Sequence, residues 1–288
     1  MNFFWFVKKS LILDLHFLRV CTWSNEKKII FLIKKYLEIL LYLFRLKKFE
    51  LGISFVSLFN RQIYYDSPLG LSGYQGILTR HNNLIKLAKI RDVKLTVDIG
   101  ANVGFFSLLI RESFPRSRII AVEPAEQTYK ALSKNFNKDK NIILFKKAIS
   151  DRNGFSDLTI NTQSSAISSL NGLERKGNSE KFIVEKVGTT TLDSLIPNRF
   201  RTVDILKIDV ESFEKQVLKG AKKTLMKTRY LLIEITIEGN KNYTFSEINS
   251  MLYSKEYNFQ LVGFRNYADV SEGKMPLGDF LFKNINIS

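Results

Sequence analysis

Val97-Asp98-Ile99-Gly100-Ala101-Asn102-Val103-Gly104-Phe105-Phe106 decides the fold of this chain. Leu95, Val97 and Ile99 read as a buried strand, and Phe105 to Ile110 open an apolar helical run. Between them stand Gly100 and Gly104, which lack a Cβ and let the backbone turn tightly and approach a ligand. Asn102 sits where a third glycine often stands, and Asn is among the few residues that tolerate left-handed backbone. One reading is a nucleotide-type pocket at a strand-to-helix crossing; the other is a plain glycine turn.

The next strand narrows the choice. Arg118-Ile119-Ile120-Ala121-Val122 ends in Glu123, and Pro124 stops it. A carboxylate at that place can accept both hydroxyls of a ribose, although a water-exposed strand-end Glu is common in general. A dinucleotide site wants three spaced glycines whose backbone amides hold a pyrophosphate. Here Asp98 precedes Gly100 by two positions, and an anion beside the loop suits a cationic ligand better. S-adenosylmethionine, with its ammonium and sulfonium, is such a ligand, so the charge reading favours a methyltransferase over a dehydrogenase.

With these residues in place the chain resembles the FkbM-type methyltransferases, a branch of the S-adenosylmethionine-dependent Rossmann-like enzymes. The resemblance rests on blocks in order: Val97 to Ser107; Ala121-Val122-Glu123-Pro124; Thr191-Leu192-Asp193-Ser194-Leu195 followed by Asp204 to Glu211; and Tyr230-Leu231-Leu232-Ile233-Glu234. Ala148-Ile149-Ser150-Asp151 looks like the family's strand end near the adenine. The blocks span roughly residues 70 to 285. Ser212 departs from the pattern, which usually has Gly there, and puts the backbone path at that point in question. The resemblance implies a doubly wound, mostly parallel seven-stranded α/β sheet with an antiparallel last strand. It also implies S-adenosylmethionine held by Asp98, Gly100, Ala101, Asn102, Gly104, Glu123, Pro124 and Ala148. The acceptor it implies is a hydroxyl on a sugar, glycolipid or polyketide-like metabolite.

Composition sets outer limits. The 288 residues hold one domain of about 200 residues plus an appendage. A lone cysteine, Cys21, excludes an intrachain disulfide and fits a reducing interior. The two histidines, His16 and His81, form no metal-spaced cluster with it, so no metal site is expected. The net charge of +16 is compatible with nucleic acid, with an anionic inner membrane face or with a merely basic surface. The positive residues are spread along the chain and no nucleic-acid module is visible, which makes nucleic acid the weaker partner.

Lys27 to Lys48 reads KKIIFLIKKYLEILLYLFRLKK, without Pro or Gly. On a helix, Lys27, Lys34, Glu38 and Arg45 share one side and Ile29, Ile33, Tyr36, Leu40 and Phe44 the other. Lys34 and Lys35 break the run well short of the ~20 residues that span a bilayer. The pattern fits an interfacial helix or one packed on the protein or a partner. Residues 1–18 make a poor signal peptide, and a cytoplasmic protein is the expectation, with peripheral contact at the inner membrane face as one alternative for the helix and packing on the protein or a partner as the other.

Three segments follow: a helical appendage over residues 1–50, an irregular connection punctuated by Gly70, Gly73 and Gly76 over 51–80, and the catalytic domain over 81–288. Helices are expected at about 82–90, 103–113, 125–137, 213–227 and 245–254. Main strands are expected at 94–99, 118–122, 141–148, 203–210 and 230–235, with a closing pair around Phe259 and Asp279. A polar insertion over 151–190 carries short strands at 155–160 and 182–187 and is expected to line the acceptor pocket. Strands alternating with helices predict a mostly parallel sheet.

Chemistry belongs at the carboxyl ends of such strands. Alternation places Lys207, Asp209 and Glu211 on one side of their strand. Asp209 and Glu211 are candidates for gripping an acceptor hydroxyl or taking its proton, and Lys207 for pairing with one of them; an ion pair capping the strand is the structural alternative. Glu234 is a second acidic candidate. His81 is expected in a loop near the pocket mouth. Beside O-methyl transfer stand an RNA methyltransferase, resting on charge, and a non-catalytic binding module, opposed by the intact Asp98, Gly100, Gly104 and Glu123.

Overall fold

The computed structural model describes residues 14–15, 17–19, 24–43, 54–58, 61–65, 70–161, 168–170, 182–237, 242–266 and 277–287. Its first elements are helix α1 (Asn25–Leu43), strands β1 (Ser54–Leu58) and β2 (Arg61–Tyr65), and helix α2 (Gly70–Leu87). These are followed by β3 (Leu95–Ile99), α3 (Phe105–Ser113), β4 (Arg118–Val122), α4 (Glu126–Phe136), β5 (Ile142–Phe145) and β6 (Ala148–Ile149). Strands β7 (Gly154–Asn161), β8 (Ser168–Ser169) and β9 (Phe182–Thr190) lead to α5 (Leu192–Leu195) and β10 (Val203–Ile208). Helices α6 (Glu214–Lys219) and α7 (Lys222–Met226), β11 (Thr228–Thr236), α8 (Phe245–Leu252), β12 (Phe259–Asn266) and β13 (Leu277–Asn284) complete the order.

The main sheet has seven strands in the order β12-β13-β11-β10-β3-β4-β5. Strands β11, β10, β3, β4 and β5 pair in parallel, while β13 runs antiparallel to both its neighbours, as the sequence predicts. Every residue of β3 and β10 is buried, which is the signature of a central parallel strand covered on both faces. On one face Val97, Ile99, Leu206 and Ile233 pack against Leu192, Val217, Leu225 and Ile248. On the other, Ala121, Ile205 and Leu232 pack against Tyr74, Leu78, Phe106 and Leu132. Chain order reverses between β3 and β10, so their carboxyl ends open a crevice between diverging connections.

Several expected boundaries move, each for a physical reason. The described residues of 51–80 form two strands and the start of a helix where the sequence suggests an irregular connection. The β1–β2 hairpin docks on α4, where Asn135 accepts from the Tyr64 amide at 2.8 Å and donates to the Tyr64 carbonyl at 2.8 Å. Helix α2 absorbs all three glycines, because buried Tyr74, Leu78, Leu84 and Ile85 contribute about 1.5–3 kcal/mol each and outweigh glycine's weak helix propensity of about 1 kcal/mol. A domain boundary at residue 81 would therefore cut a helix, and His81 lies within that helix instead of a loop.

The strand expected over 141–148 divides, since Ala148 and Ile149 pair with Thr189 and Thr190 in a second sheet of order β6-β9-β7-β8. The helix expected over 213–227 breaks at Gly220, where a Cβ would stand 2.0 Å from the Ser150 carbonyl. Asp193 then caps the next helix, accepting from the Lys223 and Thr224 amides at 2.9 and 2.8 Å. The strand expected to reach Val210 ends at Ile208. Residues 162–167 and 171–181 of the polar insertion, and Phe44 and Arg45 of the N-terminal pattern, lie outside the described residues.

Helix α1 packs inward through neither of the faces the sequence pattern separates. Among its described side chains the buried ones are Lys28, Phe31 and Lys35, with Phe31 against Phe17 and Tyr74 at ring distances of 5.0 and 6.3 Å. Lys35 pairs with Asp14 at 2.5 Å, and Asp14 also accepts from Gln75 at 2.7 Å and from the Tyr36 hydroxyl. Burial lowers the Lys35 pKa, and Asp14 partly offsets that. Among the described residues no helix is long and apolar enough to cross a membrane.

Candidate active site

The crevice at the ends of β3 and β10 is a cavity of about 300 Å³, within the usual range for a small-molecule site. Gly100, Ala101 and Asn102 form one wall, Glu123 and Pro124 a second, and Lys207, Asp209 and Glu211 a third. Ala148, Ile149, Leu158 and Leu170 add an apolar flank, and Glu234 and Arg80 face in from elsewhere.

The glycine turn is fixed by its own backbone. Gly100 has φ +70 and Asn102 φ +52, and a Cβ on Gly100 would stand 1.8 Å from the Asp209 carbonyl, so only glycine fits there. The Gly100 and Ala101 amides both donate to the Val122 carbonyl at 3.0 Å. The Asn102 amide donates to Glu123 Oε2 at 2.9 Å, the Val103 amide to Asn102 Oδ1 at 2.8 Å and the Gly104 amide to the Ala101 carbonyl at 2.8 Å. Every amide from 100 to 104 is thus engaged within the protein, leaving none to cradle a pyrophosphate. Glu123 Oε1 accepts from the Ala125 amide at 3.0 Å. Glu123, buried and held in place by these amides, borders the cavity.

Two residues assigned to the cofactor from sequence do not line the cavity. Asp98 is fully buried; it accepts from Ser107 Oγ at 2.7 Å and lies 3.6 Å from Lys207 Nζ. Buried behind Lys207, it is not among the residues that line the cavity, so the inference that it faces a cationic ligand fails in that form. Gly104, at φ +91, admits Leu132 and Phe136 to within 2.7 and 2.6 Å of where a Cβ would be. Its work is the close packing of α3 on α4.

The acidic character lies one layer outward. Lys207 Nζ is 3.0 Å from Asp209 Oδ2 and donates to the Gly100 carbonyl at 3.3 Å. Burial alone would lower the Lys207 pKa, but Asp209 and Asp98 more than offset it and hold the ammonium charged. Burial likewise opposes ionisation of Asp209, yet the Lys207 charge and hydrogen bonds from Glu234 and Lys207 pull it down to about 2. Glu211 goes the other way: burial, then the Asp209 and Glu214 charges, push it up to about 8. Burial also raises Glu234 well above its ordinary value, so its carboxyl group donates a hydrogen bond to ionised Asp209. Asp209, Glu211 and Glu234 bring a carboxylate oxygen each to within 4.8 Å of one another. A search for Cys and His spacing cannot detect such an oxygen-only group, although Lys207 already supplies a positive charge to it.

Glu214 and Asp279, to which sequence reasoning gave no role at the site, support this arrangement. Glu211 and Ser212 adopt left-handed backbone, φ +50 and +74. Glu214 Oε1 accepts from the Val210 and Ser212 amides at 3.3 and 3.2 Å and so braces that turn. Ser212 follows the left-handed path that glycine takes most readily, which answers the question its departure raised. Behind the cluster Asp279 stands opposite Glu234 across β11 and β13 and bonds His81 Nε2 at 2.9 Å. None of these contacts was legible from spacing, because 198 residues separate His81 from Asp279.

A family model described as the methyltransferase FkbM domain matches residues 98–261, more than half of the chain. Methyltransferase sdnD of Sordaria araneosa is 27% identical over 176 residues, covering 51% of this chain and 67% of that protein. The 2-O-methyltransferase NoeI of Sinorhizobium fredii is 26% identical over 165 residues, covering 54% and 68%. An rRNA methylase structure from Streptococcus thermophilus superposes with a TM-score of 0.42 at 11% identity, over 69% of this chain and 91% of that one. The match spans the glycine turn, the Glu123 strand and the acidic cluster alike, and the chain belongs to the FkbM methyltransferase family.

Proposed function

We propose that this protein transfers a methyl group from S-adenosylmethionine to a hydroxyl of a sugar, glycolipid or polyketide-like acceptor. The observation that carries the reading is the pairing, within one cavity, of an aimed Glu123 carboxylate with an acidic cluster whose members have opposed pKa values. Glu123 would hold the ribose, Ala148, Ile149, Leu158 and Leu170 the adenine, and the ionised Asp209 side the cationic end. The saturated amides of the turn favour this ligand over a dinucleotide. Pro124, Ala101 and Asn102 would close its ribose side.

When bound, the cofactor supplies an electrophilic methyl on a positive sulfur, which an acceptor oxygen takes by direct displacement. The protein's share is position and proton. Asp209, ionised throughout the physiological range, is a weak base suited to orienting a hydroxyl. Glu211, raised to about 8, is the stronger base and takes the hydroxyl proton. Lys207 holds Asp209 ionised and in place, and so acts through it. The naming of one relative as a 2-O-methyltransferase supports oxygen as the acceptor atom.

Calorimetry of the purified protein with S-adenosylmethionine and, separately, NAD tests the cofactor. Binding of the first and not the second is expected, and the reverse result would overturn the reading. Glycans and lipids from cells with and without the gene, compared by mass spectrometry for a single methyl increment, test the acceptor class.

A further inference from the structure

Helix α1 presents a line of exposed apolar side chains. Ile29, Ile33, Leu37 and Leu40 are 56, 62, 50 and 47% exposed, and Ile30 adds to the line. At about 100° per residue these positions fall on one face. The face that Lys28, Phe31 and Lys35 bury lies on the opposite side of the helix. The inner side is anchored by the Asp14–Lys35–Gln75 node and the Phe17–Phe31–Tyr74 contacts, so the helix cannot roll to hide the line without breaking a buried ion pair.

We propose that this face docks on an anionic lipid surface, with the helix lying along it. Charge selects the occupant. Exposed Lys27 and half-buried Lys34 edge the apolar line, and the sequence continues with Arg19, Lys8 and Lys9 before it and Arg45, Lys47 and Lys48 after it. The first 50 residues hold ten basic and four acidic residues in a chain of net charge +16. An apolar stripe bordered by lysines is the composition of an interfacial helix, because the chains enter the acyl boundary while the ammonium groups meet the headgroups. Helix α1 is too charged to span the bilayer. A second copy of this chain fits less well, since pairing the stripe with itself would bring the same lysine rows together.

The full-length protein should sediment with vesicles of equimolar phosphatidylglycerol and phosphatidylcholine at low salt, and much less with phosphatidylcholine alone. The double variant Ile33→Glu, Leu37→Glu replaces exposed side chains, and its melting temperature shows whether it folds; its affinity for the anionic vesicles should fall by about tenfold or more. The Lys27→Gln, Lys34→Gln variant, which leaves the apolar line intact, should weaken binding by about tenfold and flatten its salt dependence. Wild-type protein that stays in the supernatant at low salt would overturn the proposal. So would a folded glutamate variant that sediments like wild type, or ultracentrifugation showing a dimer that the glutamate variant splits and no vesicle binding.

Discussion

The glycine turn at Gly100–Gly104 and the acidic cluster around Asp209 share one cavity but are built in opposite ways. The turn is local: five consecutive residues, backbone hydrogen bonds, and one carboxylate from the neighbouring strand end. The cluster is assembled from separated segments, β10 and its turn, β11 and, behind them, β13 and α2. Its carboxyl groups hold unequal pKa values because burial raises Glu211 and Glu234 while the Lys207 charge pulls Asp209 down. A binding surface can be made from rigid backbone, whereas acid–base chemistry needs groups whose protonation the tertiary environment sets apart.

The largest effect expected from breaking this contrast is at the rigid side. Gly100→Ala places a Cβ on the Asp209 carbonyl at a left-handed φ, which should destabilise the fold by about 3 kcal/mol or more and abolish cofactor binding. Thermal melting and calorimetry check it, and a variant with wild-type stability would show the turn to be adaptable. On the chemical side, Glu211→Gln should lower kcat by about 100-fold while changing cofactor affinity little. The wild-type rate should climb with pH and level off above about 8, since Glu211 acts as a base only when deprotonated; the variant should lose that limb. A pH profile unchanged by the substitution would assign the base elsewhere.

Glu123→Ala should weaken S-adenosylmethionine binding by about 10- to 100-fold, the value of one or two charge-assisted hydrogen bonds, with a smaller loss of kcat. Unchanged affinity in calorimetry would remove Glu123 from the cofactor's side of the cavity and leave it as a brace for Asn102. The smallest expected effect sharpens the border between the two regions. Ser212→Gly relieves a left-handed φ of +74 and should raise stability by about 0.5–1 kcal/mol, seen as a melting shift of a few degrees.

The local region was readable in the chain because its determinants are adjacent. Gly100, Asn102 and Glu123 stand at positions where the backbone conformation follows from residue type, and alternating apolar residues marked the central strands. The mostly parallel sheet followed from strands alternating with helices, and the antiparallel last strand from the family resemblance. Misreadings arose where packing outweighs local preference. Gly70, Gly73 and Gly76 suggested a loop and became a helix, because its buried face outweighs their propensity. Asp98 looked like a ligand anion, since proximity in sequence to the turn says nothing of Lys207 arriving from another strand.

The amino-acid sequence alone determined the alternation of strands and helices and the identity of the turn, since these rest on residue periodicity and on φ values open chiefly to glycine and asparagine. Only the tertiary structure decided which carboxylates ionise. Lys207 reaches Asp209 across one strand end, Glu234 arrives from the next strand, and Glu211 is buried beside the charges of Asp209 and Glu214. Proton affinity depends on distance and desolvation, and neither is written in the order of the residues.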